Sequence, residues 1–163
     1  MNILIASEHV IDNYILGKRM KPRAYGQYEL LLAVVDVLAG DVVRAVRKGR
    51  CPFCGRVFPT KRGIARHLKV TSWKVMRIRP YGSDWFWVRE VYPKNPCAFK
   101  YAKLVEYLAS VYMKLRNSIR RWGRVANLRL FAGGEEYDFR NFSEVAEFIR
   151  RNPDVLRVVA DVA

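Results

Sequence analysis

The chain has 163 residues, of which 51% are hydrophobic and 28% charged, and its formal net charge is +15. This composition excludes a disordered chain, and the excess of positive charge favours a polyanion as the partner. Three cysteines, an odd number, exclude a secreted scaffold framed by disulfides. The start lacks a signal peptide and no apolar run could span a bilayer, so we expect a cytoplasmic protein that does not bind membranes. The single glutamine indicates a thermophilic source.

The positive charge is concentrated in two segments. Residues 42–79 contain twelve basic residues and no acidic one, and residues 100–129 contain eight basic residues and Glu106 alone. Because mixed signs favour solubility, such a stretch without carboxylates is unusual for an ordinary solvated face. Arginine outnumbers lysine 20 to 10, and arginine both binds phosphate in a forked geometry and stacks on bases. The two segments therefore predict a nucleic-acid surface.

The N-terminal part, residues 1–48, is predicted to form one strand and two helices. Residues 2–6 form a short apolar run that indicates a strand, and Ser7 is a candidate cap for the helix that follows. Apolar residues at helical spacing predict a second helix over residues 28–48, with a break or kink at Gly40.

The rest of the chain divides into a cysteine segment, residues 49–73, and an α+β region, residues 74–163. The predicted elements of the latter are a hairpin of 73–79 with 85–92, a helix from Asn95-Pro96 to Trp122, a hairpin of 128–132 with 135–139, a helix from Ser143 to Arg151 and a strand at 155–159. Together these elements predict a single compact α+β domain with two hairpins, about four helices and an embedded ββα module.

The cysteine segment has a recognisable spacing. Cys51 and Cys54 form a C-x2-C pair, Phe58 follows four residues after Cys54, and Ile64 stands three residues before His67. This segment, residues 51–69 only, resembles the two-cysteine, two-histidine zinc finger. The resemblance implies a structural Zn²⁺ held by Cys51, Cys54 and His67, with Phe58 and Ile64 as a small core and Thr60 as a helix cap.

The second histidine of that family is missing, because Thr71, Ser72 and Trp73 occupy its positions. Either the metal is lost or a fourth ligand comes from elsewhere, and Cys97 and His9 are the natural candidates. We favour Cys97, because a hairpin turn near residues 82–83 folds the chain back and places residue 97 opposite residue 68. A redox C-x-x-C pair is disfavoured, since the motif lacks a thioredoxin-like context.

The resemblance also implies which residues contact nucleic acid. By register, the base-reading positions are Thr60, Gly63 and Arg66, of which Arg66 alone suits guanine, while Lys61, Arg62 and Lys69 suit phosphates. One finger covers only about three base pairs, so a second basic patch is expected to assist. Its members are Lys74, Arg77, Arg116, Arg120, Arg121 and Arg124.

These observations predict a DNA-binding regulator or architectural factor, with a homo-oligomer as an open option. The alternative is an RNA-binding, ribonucleoprotein or virion nucleoprotein component, because zinc knuckles with arginine-rich surfaces also suit structured RNA. A third hypothesis is a metal-dependent nuclease, in which Glu136 and Asp138 would hold Mg²⁺. No catalytic residue is predicted, since His9 beside Glu8 lacks a partnered nucleophile.

Overall fold

The computed structural model describes the backbone of residues 3–18, 25–78, 86–93, 95–122 and 127–161, with side chains at 7–18, 28–69, 95–121 and 127–161. In chain order, the elements of these residues are α1 Ile3–Ile15, α2 Tyr25–Arg47, α3 Lys61–Leu68, β1 Val70–Ile78, β2 Phe86–Pro93, α4 Pro96–Asn117, β3 Ile119–Trp122, β4 Asn127–Ala132, β5 Glu135–Phe139, α5 Phe142–Arg151 and α6 Pro153–Asp161. Strand β1 pairs antiparallel with β2, and β3, β4 and β5 form a second antiparallel sheet in that order. The predicted single α+β domain is confirmed, with six helices rather than four in the described part.

Helix α4 is the centre of the hydrophobic core. It contacts α1, α2, α3, α6 and both strands of the β1–β2 hairpin, and Leu108 and Leu115 on its buried face are fully inaccessible. The helix begins as predicted, because the Asn95 side chain accepts a hydrogen bond from Ala98 N–H at 2.9 Å and Pro96 follows. Among the described helices, α4 included, none combines the length and the apolar character that crossing a membrane requires.

Helix α2 confirms the second predicted helix and its kink. Leu30, Val34 and Val35 are fully buried on the face that packs into the core. The backbone departs from helical geometry at Ala39 (φ −139°, ψ 28°), one residue before the predicted break at Gly40. The apolar periodicity therefore located the helix, and the Gly40-Asp41 pair located its irregularity to within one residue.

Two predicted strands are wrong, because both segments are helical. Residues 3–6 form the first turn of α1, and Ser7 is buried within this helix instead of capping it. Residues 155–159 lie in α6, which Pro153 begins and in which Leu156 and Val159 are buried three residues apart. A short apolar run fits a strand and a buried helical turn equally well, so its context decides.

The predicted helix to Trp122 ends five residues early. Asn117 is the last helical residue, and the backbone N–H and hydroxyl of Ser118 both donate to Lys114 C=O. The chain then continues as β3, in which Arg120 pairs with Arg129 and Arg121 pairs with Leu128 of β4. Arg120 and Arg121 therefore stand on a strand, although the sequence predicts them on a helix.

The C-terminal hairpin is confirmed. Strands β4 and β5 pair from Leu128–Phe139 to Ala132–Glu135. Gly133 and Gly134, with φ of 57° and 81°, form the two-residue turn, which favours glycine because both φ values are positive. Helix α5 follows with Asn141 as its cap, two residues before the predicted Ser143.

Candidate metal centre

A tight loop presents the first two cysteines. The N–H of Cys51 donates to Arg56 C=O and the N–H of Gly55 donates to Cys51 C=O, both at 2.9 Å. Gly49 has a φ of +81°, and a Cβ there would lie 2.7 Å from the carbonyl oxygen of Phe58. The two strands of the expected ββα module are reduced to one bridge between Arg50 and Val57.

Helix α3 presents His67. The Thr60 hydroxyl accepts a hydrogen bond from Gly63 N–H at 3.1 Å, which confirms the predicted cap. Ile64 and Leu68 are each only 1% exposed, and the rings of Phe58 and His67 lie 4.9 Å apart. Ile64 is therefore buried as predicted, and Phe58 packs against the hydrophobic core beside the His67 ring.

The β1–β2 hairpin returns the chain to α3 and brings the third cysteine with it. Its register pairs Val70 with Pro93, and the Asn95 amide then donates to the carbonyl oxygen of His67 at 3.1 Å. Asn95 also caps α4, so one side chain joins the end of α3 to the start of the helix that carries Cys97. The hairpin returns the chain to His67, as predicted. The residue beside His67 is Asn95, however, and Cys97 follows two residues later in the first turn of α4.

The four predicted ligands form one group, here named the metal cluster: Cys51, Cys54, His67 and Cys97. Their ligand atoms all lie within 4.8 Å of one another, and Cys54 Sγ stands 3.6 Å from His67 Nε2. Cys51 and Cys97 are buried and Cys54 is exposed. The metal cluster could therefore bind a metal ion. Among the described side chains no second group of this kind occurs, and His9 lies outside this one.

Two of the thiols differ in acidity. A hydrogen bond from the backbone N–H of Arg56 lowers the pKa of Cys54. Burial, followed by hydrogen bonds with Cys51 and Cys54, raises the pKa of Cys97 to about 11. Since thiolate is the form that ligates a metal, binding at Cys97 must displace a proton.

Comparisons with known proteins were made at three levels. No protein-family model, no curated protein and no solved structure matches this chain.

The predicted nucleic-acid residues fall into two groups in the structure. Thr60, Lys61, Arg62, Arg66 and Lys69 are all exposed on or beside α3. Arg120 and Arg121 are exposed on β3, and Arg116 is half-buried near the end of α4. Lys74 and Arg77 stand on β1, opposite Glu90 and Trp87, but their side chains lie outside the described part, as does the whole of Arg124.

The acidic C-terminal segment forms ion pairs away from α3. Arg129 binds Asp138 at 2.8 Å and Glu136 at 3.3 Å. The two carboxylates that the nuclease hypothesis assigns to Mg²⁺ are therefore both paired with one arginine. Arg151 pairs with Glu147, and Arg157 pairs with Asp154. The described carboxylates form no ion pair with Lys61, Arg62, Arg66 or Lys69.

Asn95→Ala is expected to lower the affinity of the metal cluster about tenfold, because this side chain positions two ligating segments. It should also destabilise the fold by about 1–2 kcal/mol through the lost helix cap. Co²⁺ titration and thermal unfolding measure the two effects.

Asn141→Ala is the matched control, because Asn141 caps α5 through Glu144 N–H at 3.0 Å and lies outside the metal cluster. This variant should lower the free energy of unfolding by a similar amount and leave the Co²⁺ affinity unchanged. Equal Co²⁺ affinities of the two variants would contradict the positioning role of Asn95.

Proposed function

We propose that this protein binds nucleic acid, with DNA favoured, and that a structural Zn²⁺ in the metal cluster fixes the helix that makes the contact. The observation that carries the proposal is the position of the cluster at the C-terminal end of α3, whose cations are exposed. The resemblance of residues 51–69 to a zinc finger supports the same function.

The donor set supports zinc. Three thiolates and one imidazole are the ligands of closed, tetrahedral structural zinc sites. A tetrahedral site with Zn–S of about 2.3 Å and Zn–N of about 2.0 Å separates sulfur from nitrogen by about 3.5 Å. The observed distance of 3.6 Å between Cys54 Sγ and His67 Nε2 agrees with this value. With four protein ligands no position is left for substrate, which supports a structural role.

The charge on α3 supports a phosphate chain as the partner. Lys61, Arg62, Arg66 and Lys69 project from eight helical residues and their neighbour, a length of about 12 Å. None forms an ion pair with a described carboxylate, so these cations are available to an external anion. Arg120 and Arg121 on β3 offer a second exposed pair of cations. Such a second group is expected, because the area that α3 alone can contact is small.

Binding assays with the full-length, zinc-loaded protein test this proposal. Duplex DNA, structured RNA and single-stranded DNA are compared at 50 mM and 200 mM salt. If about six phosphates are contacted, affinity should fall by about a thousandfold between these concentrations, and DNA should bind more tightly than RNA. Affinity that barely changes with salt would contradict nucleic-acid binding through this surface, and tighter RNA binding would replace DNA as the partner.

A further inference from the structure

A cleft of about 680 Å³ lies between α1, α3 and α4, on the cationic side of α3. Residues of α1 form the wall opposite α3, and Tyr101 and Val105 contribute from α4. This volume lies within the range of about 300–1,000 Å³ that is typical of small-molecule sites. The cleft is separate from the metal cluster, whose four residues do not line it.

Opposite charges line different parts of this cleft. Its exposed lining residues include five cations: Lys18, Lys61, Arg62, Arg66 and Lys69. The carboxylates are less accessible, since Glu8 is only 3% exposed and Asp12 is half-buried. Asp12 accepts a hydrogen bond from the Tyr101 hydroxyl at 2.5 Å, which orients one of its oxygens. The cleft thus combines an anion-binding rim with a partly accessible carboxylate, that of Asp12, deeper inside.

We propose that this cleft holds one unpaired nucleotide, with its phosphate at the cationic rim and its base against Asp12. The proposal rests on the proposed function, which supplies the nucleic acid. A carboxylate only accepts hydrogen bonds, so it selects a base edge with adjacent N–H donors. Guanine offers two such donors, N1–H and N2–H. Thymine offers one N–H between two carbonyl oxygens, which a carboxylate repels.

The apolar part of the lining suits the face of a base. Leu16 directly after α1, Ala65 of α3 and Val105 of α4 supply aliphatic surface in the cleft. Recognition of single strands commonly combines such apolar contact with hydrogen bonds to an exposed base edge and a cationic track for phosphates. The same three ingredients occur here in one concave site.

The position of α1 favours an unpaired nucleotide over a duplex at this site. Gly17, two residues after α1, lies beside the Lys61 side chain: a Cβ there would be 3.7 Å from Lys61 Nζ. The cleft is a concave space among α1, α3 and α4, whereas the groove of a duplex is entered by a convex helix face. An unpaired base can enter such a cleft and a base pair in a duplex cannot.

Fluorescence anisotropy with the full-length, zinc-loaded protein tests the proposal at fixed salt. The probes are a thymine 16-mer, the same strand with three isolated guanines, and that strand with inosine for guanine. We expect about tenfold tighter binding of the guanine strand, as one good carboxylate–base pairing provides, and an intermediate affinity for inosine, which lacks the N2 amino group. Guanosine 5′-monophosphate is then added as a competitor. If it displaces the labelled guanine strand, the site binds both free nucleotides and nucleotides within a chain. If only an unlabelled guanine strand displaces the labelled one, the site binds nucleotides within a chain.

Asp12→Asn separates base selection from general electrostatics. This variant loses one negative charge, so its affinity for the thymine strand should hold or rise while the guanine preference falls. Asp154→Asn is the matched control, because Asp154 is an exposed carboxylate on α6 outside the cleft; it should retain the preference. Inosine substitution leaves the protein unchanged, so it gives a result even if a variant does not fold.

The outcomes separate the two proposals. Salt-dependent binding with equal affinity for thymine, inosine and guanine strands would overturn the nucleotide cleft and leave nucleic-acid binding intact. Absence of binding to every strand and duplex would overturn the proposed function itself.

Discussion

Replacing His67 with alanine is expected to remove zinc from the protein, whereas replacing His9 leaves it bound. The chain has only these two histidines, and only His67 belongs to the metal cluster, so His9→Ala is a matched control. A structural ion at a free concentration a thousandfold above its Kd stabilises the fold by about 4 kcal/mol. Losing it should lower Tm by about 8–16 °C for a chain of this size. Elemental analysis and thermal unfolding measure the two effects.

Cys97→Ser extends this test to the ligand that lies outside the finger-like segment. Its buried thiol completes the four-residue set, so the variant should also lose zinc and show a similar fall in Tm. One zinc per chain retained in Cys97→Ser would remove Cys97 from the site. Equal zinc content in His67→Ala and the unaltered protein would contradict the metal centre as a whole.

Removing the four cations of α3 should have the largest effect on nucleic-acid binding. In a variant with serine at Lys61, Arg62, Arg66 and Lys69, each lost phosphate contact lowers the salt-dependence slope by about 0.9 on duplex DNA. We expect a slope reduced by about 3 and an affinity at 0.1 M salt that is lower by at least about a hundredfold. Binding isotherms over a salt series measure both quantities.

A control variant carries the same change in net charge at cations that are already paired. Arg44, Arg150, Arg151 and Arg157 each lie within 4.0 Å of a carboxylate, and serine at these four positions should change the slope little. If both variants lose affinity equally, the interaction depends on net charge and not on α3.

Within the α3 surface, Arg66→Ala distinguishes base contact from phosphate contact. If Arg66 contacts guanine, its loss should reduce discrimination among duplex sequences by about 1–3 kcal/mol. A uniform loss across sequences would assign Arg66 to phosphate, which is the role expected of Lys61 and Lys69.

The long elements of this fold were predictable and the short ones were not. Helices α2 and α4 contain enough apolar residues at helical spacing to exclude a strand, and the Asn95-Pro96 start of α4 has a defined chemistry. Residues 3–6 and 155–159 are too short for periodicity to decide between a strand and a helical turn, and both segments lie within longer helices, α1 and α6. Beyond Asn117, Ile119 fits helical spacing by coincidence, and pairing with β4 makes it a strand.

The metal cluster was predictable because its ligands have a characteristic spacing and its fourth member follows from hairpin closure. The cleft was not predicted, because it depends on how α1 and α3 are both placed against α4, and no sequence pattern indicates that arrangement. A local signal was present, since Glu8 and Asp12 are four residues apart and share one face of a helix. The incorrect prediction of a strand at residues 2–6 does not affect this face of the helix. What the sequence did not indicate is which element lies next to it.

The proposed coupling between the metal centre and DNA binding through α3 is tested most directly by the duplex DNA affinity of the unaltered protein, measured with zinc bound, after chelation and after zinc is restored. We predict at least a tenfold loss of affinity on chelation and full recovery when zinc returns, at one salt concentration throughout. Unchanged affinity in protein verified to contain no zinc would contradict this coupling.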